Sequence, residues 1–136
     1  MYSFLELGIH RIMVSFPGSQ RITHWRLRHK EGSIVYRSST GRVEVKRTGY
    51  YYIYSQMYYS DGSTAQMGHF TFINNDKVLE SMGSVVSSVR KYNTKYHGGV
   101  FLLHESDTIS IGIPYTKTYY MNSEGSFFGA FLLHPM

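Results

Sequence analysis

Apolar and polar positions alternate in short runs along almost the whole chain, with a period of two residues rather than the longer period of a helix. Valine, isoleucine, tyrosine, phenylalanine and threonine fill the runs, and clusters of glycine, asparagine, aspartate and serine separate them, which is the pattern of β-strands joined by turns. It predicts strands over 9–15, 22–28, 33–37, 42–47, 50–59, 66–73, 77–89, 97–103, 107–113, 117–121 and 126–133, with turns at PGS, KEG, STG, SDGS, NND, HES and NSEG. No segment keeps a helical apolar period for three turns and no repeat of fixed length appears. Parallel α/β folds, propellers and solenoids are therefore set aside, and the expected class is all-β, an antiparallel sandwich or jelly roll.

One strand departs from simple alternation. In GYYYIYSQMYYS (49–60), Tyr51, Ile53, Ser55 and Met57 share one face, while Tyr52, Tyr54, Gln56 and Tyr58 share the other. Neither face is polar, whereas a sandwich strand ordinarily buries one face and wets the other. Cover for the second face has two sources, a neighbouring subunit or loops of the same chain. Tyrosine suits a subunit seam, because its ring buries area with few rotamers to freeze and its hydroxyl can stay at a hydrogen-bonded or wet margin.

Composition sharpens this picture. The 136 residues fit one domain, and no linker-like stretch divides them. Aromatic residues make up 16% and charged residues 17%, so the chain has more apolar surface than a small monomer easily hides, which favours an oligomer. The net charge of +5 comes from scattered lysine and arginine, densest in RITHWRLRHK (21–30), with no like-charge run and no nucleic-acid motif. No nucleic-acid partner is expected. There is no cysteine, which removes disulfides, thiol catalysis and cysteine-ligated zinc. The seven histidines, at 10, 24, 29, 69, 97, 104 and 134, form no HExxH or H-x-H pattern, and neither a G-x-S-x-G turn nor phosphate-loop glycine spacing occurs. An enzyme, a cofactor and a metal site are all unexpected, and the histidines read as core or surface residues. No apolar run is long enough to span a membrane, and the first residues lack the parts of a signal peptide. The chain is expected to be cytosolic or cut from a longer precursor.

GYYYIYSQ (49–56), YHGGVFLLHESDTISIGIP (96–114) and GSFFGAFLL (125–133) together resemble the tumour necrosis factor homology domain, in order and at about its spacing. YSDGSTAQMGHF (59–70) and YNTKYHGGVFLL (92–103) are most similar to the branch that includes B-cell activating factor, APRIL and ectodysplasin. Gly8 to Val14 and Thr23 to Leu27 resemble the first strands and the tryptophan-bearing segment. The resemblance implies a jelly-roll β-sandwich, one domain over 1–136, that assembles as a homotrimer. It also implies a cytokine that clusters cysteine-rich receptors of the tumour necrosis factor receptor family in the grooves between subunits. Such a ligand is extracellular, secreted or shed from a type II membrane precursor whose N-terminal anchor this chain lacks, and it acts in signalling and immune response.

Carried over residue by residue, the resemblance places Tyr52, Tyr54, Gln56, Tyr96, Phe127 and Leu133 at the trimer seam, and implies that Gly98, Gly99 and Gly129 let backbone run close to a neighbouring chain. Receptor contact falls to Ile73, Asn74, Asn75 and Asp76, to roughly Phe16 to Arg21, and to Tyr115. Three departures stand out. Asn74 takes the place of an exposed tyrosine anchor, Tyr115 that of an arginine after the Ile113-Pro114 pair, and Lys95 that of one cysteine of a disulfide. Without that bridge, Ser87 to Lys95 must be held by packing or stay mobile. Two other readings share the features. A complement-type globular head has the same jelly roll with an FxGFLL-like last strand, and a sugar-binding lectin sandwich would use exposed aromatic rings to stack on glycans.

Overall fold

A computed structural model of the chain describes residues 3–9, 13–16, 20–23, 25–60, 66–84, 92–114, 116–121 and 125–136. Among them the strands are β1 (Phe4–Ile9), β2 (Met13–Phe16), β3 (Gln20–Arg21), β4 (Trp25–Glu31), β5 (Ile34–Arg37), β6 (Arg42–Val45), β7 (Gly49–Ser60), β8 (Gln66–Ile73), β9 (Asp76–Ser84), β10 (Tyr92–Leu103), β11 (Thr108–Ile113), β12 (Thr116–Met121) and β13 (Phe127–Pro135). All pairings are antiparallel. The first sheet runs β2-β12-β7-β13-β1-β4, with β10 on β7 as well, and the second runs β5-β6-β11-β8-β9, with β3 on β11. The all-β jelly-roll sandwich expected from the alternation is the architecture observed.

The long tyrosine strand is the spine of the first sheet. β7 pairs with β10 along its full length, from Tyr92↔Ser60 to Leu103↔Gly49. It also pairs with β13 from Phe127↔Gln56 to Pro135↔Gly49. Its odd positions point into the sandwich, where Tyr51, Ile53, Ser55 and Met57 are completely buried. Leu5 and Leu7 of β1, Val43 and Val45 of β6, Ile109, Ile111 and Ile113 of β11 and Phe128 of β13 meet them in one core. Each such side chain contributes about 1.5–3 kcal/mol by leaving water. The buried hydroxyl of Tyr51 donates to the Arg47 carbonyl at 2.6 Å, and the Trp25 indole donates to the Ile22 carbonyl at 3.0 Å.

Boundaries differ most from expectation at three places. The first strand is Phe4–Ile9 rather than 9–15, because FLELGI alternates cleanly, Leu5, Leu7 and Ile9 inward, even though Glu6 and Gly8 interrupt its apolar run. β10 begins at Tyr92 rather than at 97, since Asn93, Thr94 and Lys95 pair with Tyr59, Tyr58 and Met57. Backbone pairing thus holds the end of the 87–95 segment, expected to be held by packing or to stay mobile, and 85–91 lie outside the described residues. The strand expected over 77–89 is described as Asp76–Ser84. The NND and HES turns form as expected, with Asn74 and Ser106 both in the left-handed region at φ 56 and 79.

One end of the core is polar. His69 of β8 and His97 of β10 stack across the sandwich with ring centres 4.2 Å apart. His69 Nε2 lies 2.8 Å from Ser55 Oγ, while the two ring nitrogens of His97 lie 2.7 Å from Thr71 Oγ1 and 2.8 Å from Ser81 Oγ. Burial, together with the neighbouring His97, holds His69 down at about 3, and burial holds His97 at about 4, both below the ordinary 6.5. The unfolded chain therefore takes up these protons first. The stability they contribute is full above pH 6.5 and drains away as pH falls toward 4 and 3. The thermal midpoint is expected to fall more between pH 7 and pH 4 in the natural chain than in the His69→Gln/His97→Gln variant, and equal falls would refute this assignment.

Candidate functional site: an aromatic groove on the first sheet

The even positions of β7 point away from the core, onto the outer surface of the first sheet. Alternation on β13 and β1 sends Phe127, Phe131 and Phe4 to the same surface, and β10 adds Tyr96. Phe4, Tyr52, Tyr54, Tyr96, Phe127, Phe131, Leu132 and Leu133 line an open groove of about 550 Å³. Within it Tyr52 and Tyr54 stack at 5.9 Å, Phe131 lies 5.5 Å from Tyr52 and 6.5 Å from Tyr54, and Phe127 meets Tyr54 edge-on at 6.1 Å. Tyr96 and Leu133 are half exposed at 51% and 50%, and Val100 and Leu102 of β10 are also exposed. An apolar surface this continuous is unusual on a small monomer.

The phenol hydroxyls are satisfied at the margins. The Tyr54 hydroxyl donates to the Glu6 carboxylate, which also faces the Arg28 guanidinium at 3.6 Å. The Tyr52 and Tyr96 hydroxyls are 2.7 Å apart. Desolvation, with the hydrogen bond to Tyr52 adding to it, pushes Tyr96 up to about 12, so its phenol stays neutral at physiological pH. Rings lie flat on the sheet because glycines leave room for them. A Cβ on Gly129 would sit 2.6 Å from the Tyr54 hydroxyl and 2.7 Å from the Leu5 carbonyl, and one on Gly98 would strike the Tyr52 hydroxyl. Within the chain itself, tyrosine rings thus approach Gly98 and Gly129 closely.

Five of the six residues expected at a seam, Tyr52, Tyr54, Tyr96, Phe127 and Leu133, meet around this groove. Gln56 shares the strand face, but its amide donates to the Gly125 carbonyl at 3.1 Å instead of lining the groove. Phe131 was legible from the alternation of FFGAFLL and was passed over. Phe4 and Glu6 lie ahead of the expected first strand, and Arg28, within the expected strand 22–28, reaches this margin only through the β1–β4 pairing.

Of the residues expected to meet a receptor, Ile73 to Asp76 and Gln20 and Arg21 of β3 lie on the second sheet, while Phe16 ends β2 of the first. Ile73 ends β8, Asn74 and Asn75 form the turn, and Asp76 opens β9. Asn74 is committed within the chain, since its amide nitrogen donates to Asp107 at 3.0 Å and its carbonyl oxygen accepts from the Thr108 amide at 3.0 Å. Asn75, Asp76 and Lys77 are exposed. Tyr115 and residues 17–19 lie outside the described residues. Among the described residues no three histidine, aspartate or glutamate side chains converge as metal ligands.

A family model described as the TNF (Tumour Necrosis Factor) family matches residues 24–133. Tumor necrosis factor ligand superfamily member 13B of Homo sapiens is 30% identical over 126 residues, covering 85% of this chain and 44% of that protein. Its Mus musculus counterpart is 30% identical over 129 residues, covering 85% and 40%. The chain spans less than half the length of these curated relatives. Among solved structures, murine APRIL at pH 8.5 superposes with a TM-score of 0.77 at 25% identity, covering 98% of this chain and all of that one. Eiger TNF from S. frugiperda superposes at 0.84 with 19% identity over 99% and 94%, a likeness of fold alone.

Gly129→Ala is expected to destabilise the chain by about 1–3 kcal/mol, because the added methyl meets fixed backbone as well as the Tyr54 ring. Gly98→Ala meets chiefly the movable end of Tyr52, with the nearest backbone oxygen at 3.1 Å, and is expected to cost less. Urea unfolding midpoints check the order, and a larger loss at Gly98 would contradict the packing described.

Proposed function

The chain belongs to the tumour necrosis factor family, and from that premise we propose that it is the trimer-forming, receptor-binding domain of an extracellular cytokine. Three copies pack about a threefold axis, with Tyr52, Tyr54, Gln56, Tyr96, Phe127 and Leu133 at the seams. Cysteine-rich receptors of the matching family engage the grooves between copies. The observation that carries this reading is the continuous aromatic surface on the outside of the first sheet, which the single chain leaves uncovered. A closed symmetric oligomer covers such a surface on every subunit at once.

The mechanism is geometric. A trimer gathers up to three receptors, and once one is engaged the others bind at high effective concentration, so avidity adds to each contact. No bond in a substrate changes. Receptor contact is assigned to the β8–β9 turn, Ile73 to Asp76, together with Tyr115. Asn74 serves there as the left-handed hinge of the turn, which leaves Asn75 and Asp76 as its outward-facing groups. The domain is released, or presented at the cell surface, from a type II membrane precursor.

Tyr54→Asp sets a second carboxylate beside Glu6 within the apolar seam, and Tyr96→Asp removes the Tyr52 partner. Both variants are expected to be monomers by light scattering and to lose receptor clustering on cells. Full trimers from both would place the seam elsewhere. Asn75→Ala and Asp76→Ala are expected to weaken capture of a receptor ectodomain by about tenfold with the assembly intact. Unchanged capture across both would move receptor contact to other loops.

A further inference from the structure

On the outer face of the second sheet two arginines, Arg21 and Arg42, bond to alternate residues of β11, Ser110 and Thr108. Arg21 Nε donates to Ser110 Oγ at 3.0 Å, and its guanidinium carbon lies 3.4 Å above the centre of the Phe72 ring. Arg42 Nη1 donates to the Thr108 hydroxyl at 3.1 Å and the Asn74 carbonyl at 3.2 Å, and Nη2 to Asn75 Oδ1 at 3.4 Å. All of these partners are neutral. The two charges repel, and the Arg21 pKa is lowered by desolvation and then by Arg42.

Three carboxylates of this sheet and its turns are engaged elsewhere. Glu44 is held by Arg37 at 3.2 Å and Lys46 at 2.5 Å, and Glu80 by Lys77 at 2.5 Å. Asp107 accepts from Asn74 at 3.0 Å and from the His104 amide at 2.8 Å. No described carboxylate forms an ion pair with Arg21 or Arg42. Packing like charges together without a counter-ion costs folding energy, so the pair is poised for an anion from outside. Stacking on Phe72 and the bonds to Thr108, Ser110 and the turn fix both planar forks in advance, the arrangement that recognises carboxylates.

We infer that the Arg21–Arg42 pair docks an acidic side chain of a polypeptide partner, beside the β8–β9 turn. A single carboxylate fits better than a long polyanion, because the flanking cations Arg37, Lys46 and Lys77 are already neutralised and offer no charged track. The inference rests on the reading of the chain as a receptor-binding domain, and it supplies the charge contact of that receptor.

The test titrates the folded chain with a hexaglutamate peptide, followed through the arginine Nε–Hε resonances, and repeats the titration with a heparin hexasaccharide. R21Q/R42Q is compared with R26Q/K30Q, which removes the same charge from exposed positions on β4. Hexaglutamate is expected to shift Arg21 and Arg42, to bind R21Q/R42Q at least about tenfold more weakly, and to bind R26Q/K30Q unchanged. Arg21→Gln alone, which gives up only the Ser110 bond and the Phe72 stack, is expected to show most of the loss and guards against misfolding at Arg42. No shift, equal weakening in both double variants, or preference for the heparin fragment would overturn the inference. Receptor capture separates the two readings. If the natural chain captures no cysteine-rich ectodomain, the cytokine reading fails and the titration still decides the arginine site. Capture that survives R21Q/R42Q at full strength overturns the arginine site alone.

Discussion

A β-strand has two faces, and on β7 apolar and aromatic side chains dominate both. Its inward residues, Tyr51, Ile53, Ser55 and Met57, fill the centre of the sandwich. Its outward residues, Tyr52 and Tyr54, start an aromatic surface that β1, β10 and β13 extend. The strand period forces this division, since no shift of register would bring both sets into one core. The long pairings to β10 and β13 follow, because a strand so apolar on both sides has to sit in the middle of its sheet. Gly98 and Gly129 follow as well, because only residues without a side chain let the tyrosine rings lie against the strands beside them.

The two outer faces of the sandwich differ in kind. On the first sheet the polar groups are confined to the margins, with Glu6 and Arg28 at one side and the Tyr52 and Tyr96 hydroxyls paired with each other. On the second sheet ion pairs and cation-aromatic stacks dominate, with Arg21 over Phe72 and Lys77 over Phe70. An apolar face favours permanent association, where water is excluded once, whereas a face with fixed, charged forks favours a partner chosen by charge and geometry. Self-assembly through the first sheet and receptor binding near the second are consistent with that contrast.

Much of this was legible in the sequence, for physical reasons. Period-two alternation carries the identity of strands, so β5, β6, β8, β11 and β12 fall close to where they are expected, and the parity of 49–60 puts Tyr51, Ile53, Ser55 and Met57 together on the buried face of β7. Strand ends depend on partners that lie far away in sequence. Tyr92 to Tyr96 are held as strand by Gln56 to Ser60, and no local signal in NTK reveals it. Phe4 was lost with the misplaced first strand. The His69–His97 stack and the Arg21–Arg42 pair join residues 28 and 21 positions apart from different strands, and only the folded register brings them together.

The claim on which the account turns is that other copies of the chain cover the aromatic surface of the first sheet. Sedimentation equilibrium over a wide concentration range tests it most directly. The account predicts a mass near three times the 15.7 kDa of the chain, about 47 kDa, that persists on dilution as a closed apolar interface requires. A mass of 15.7 kDa at every concentration would contradict it, leaving the tyrosine face open to some other ligand.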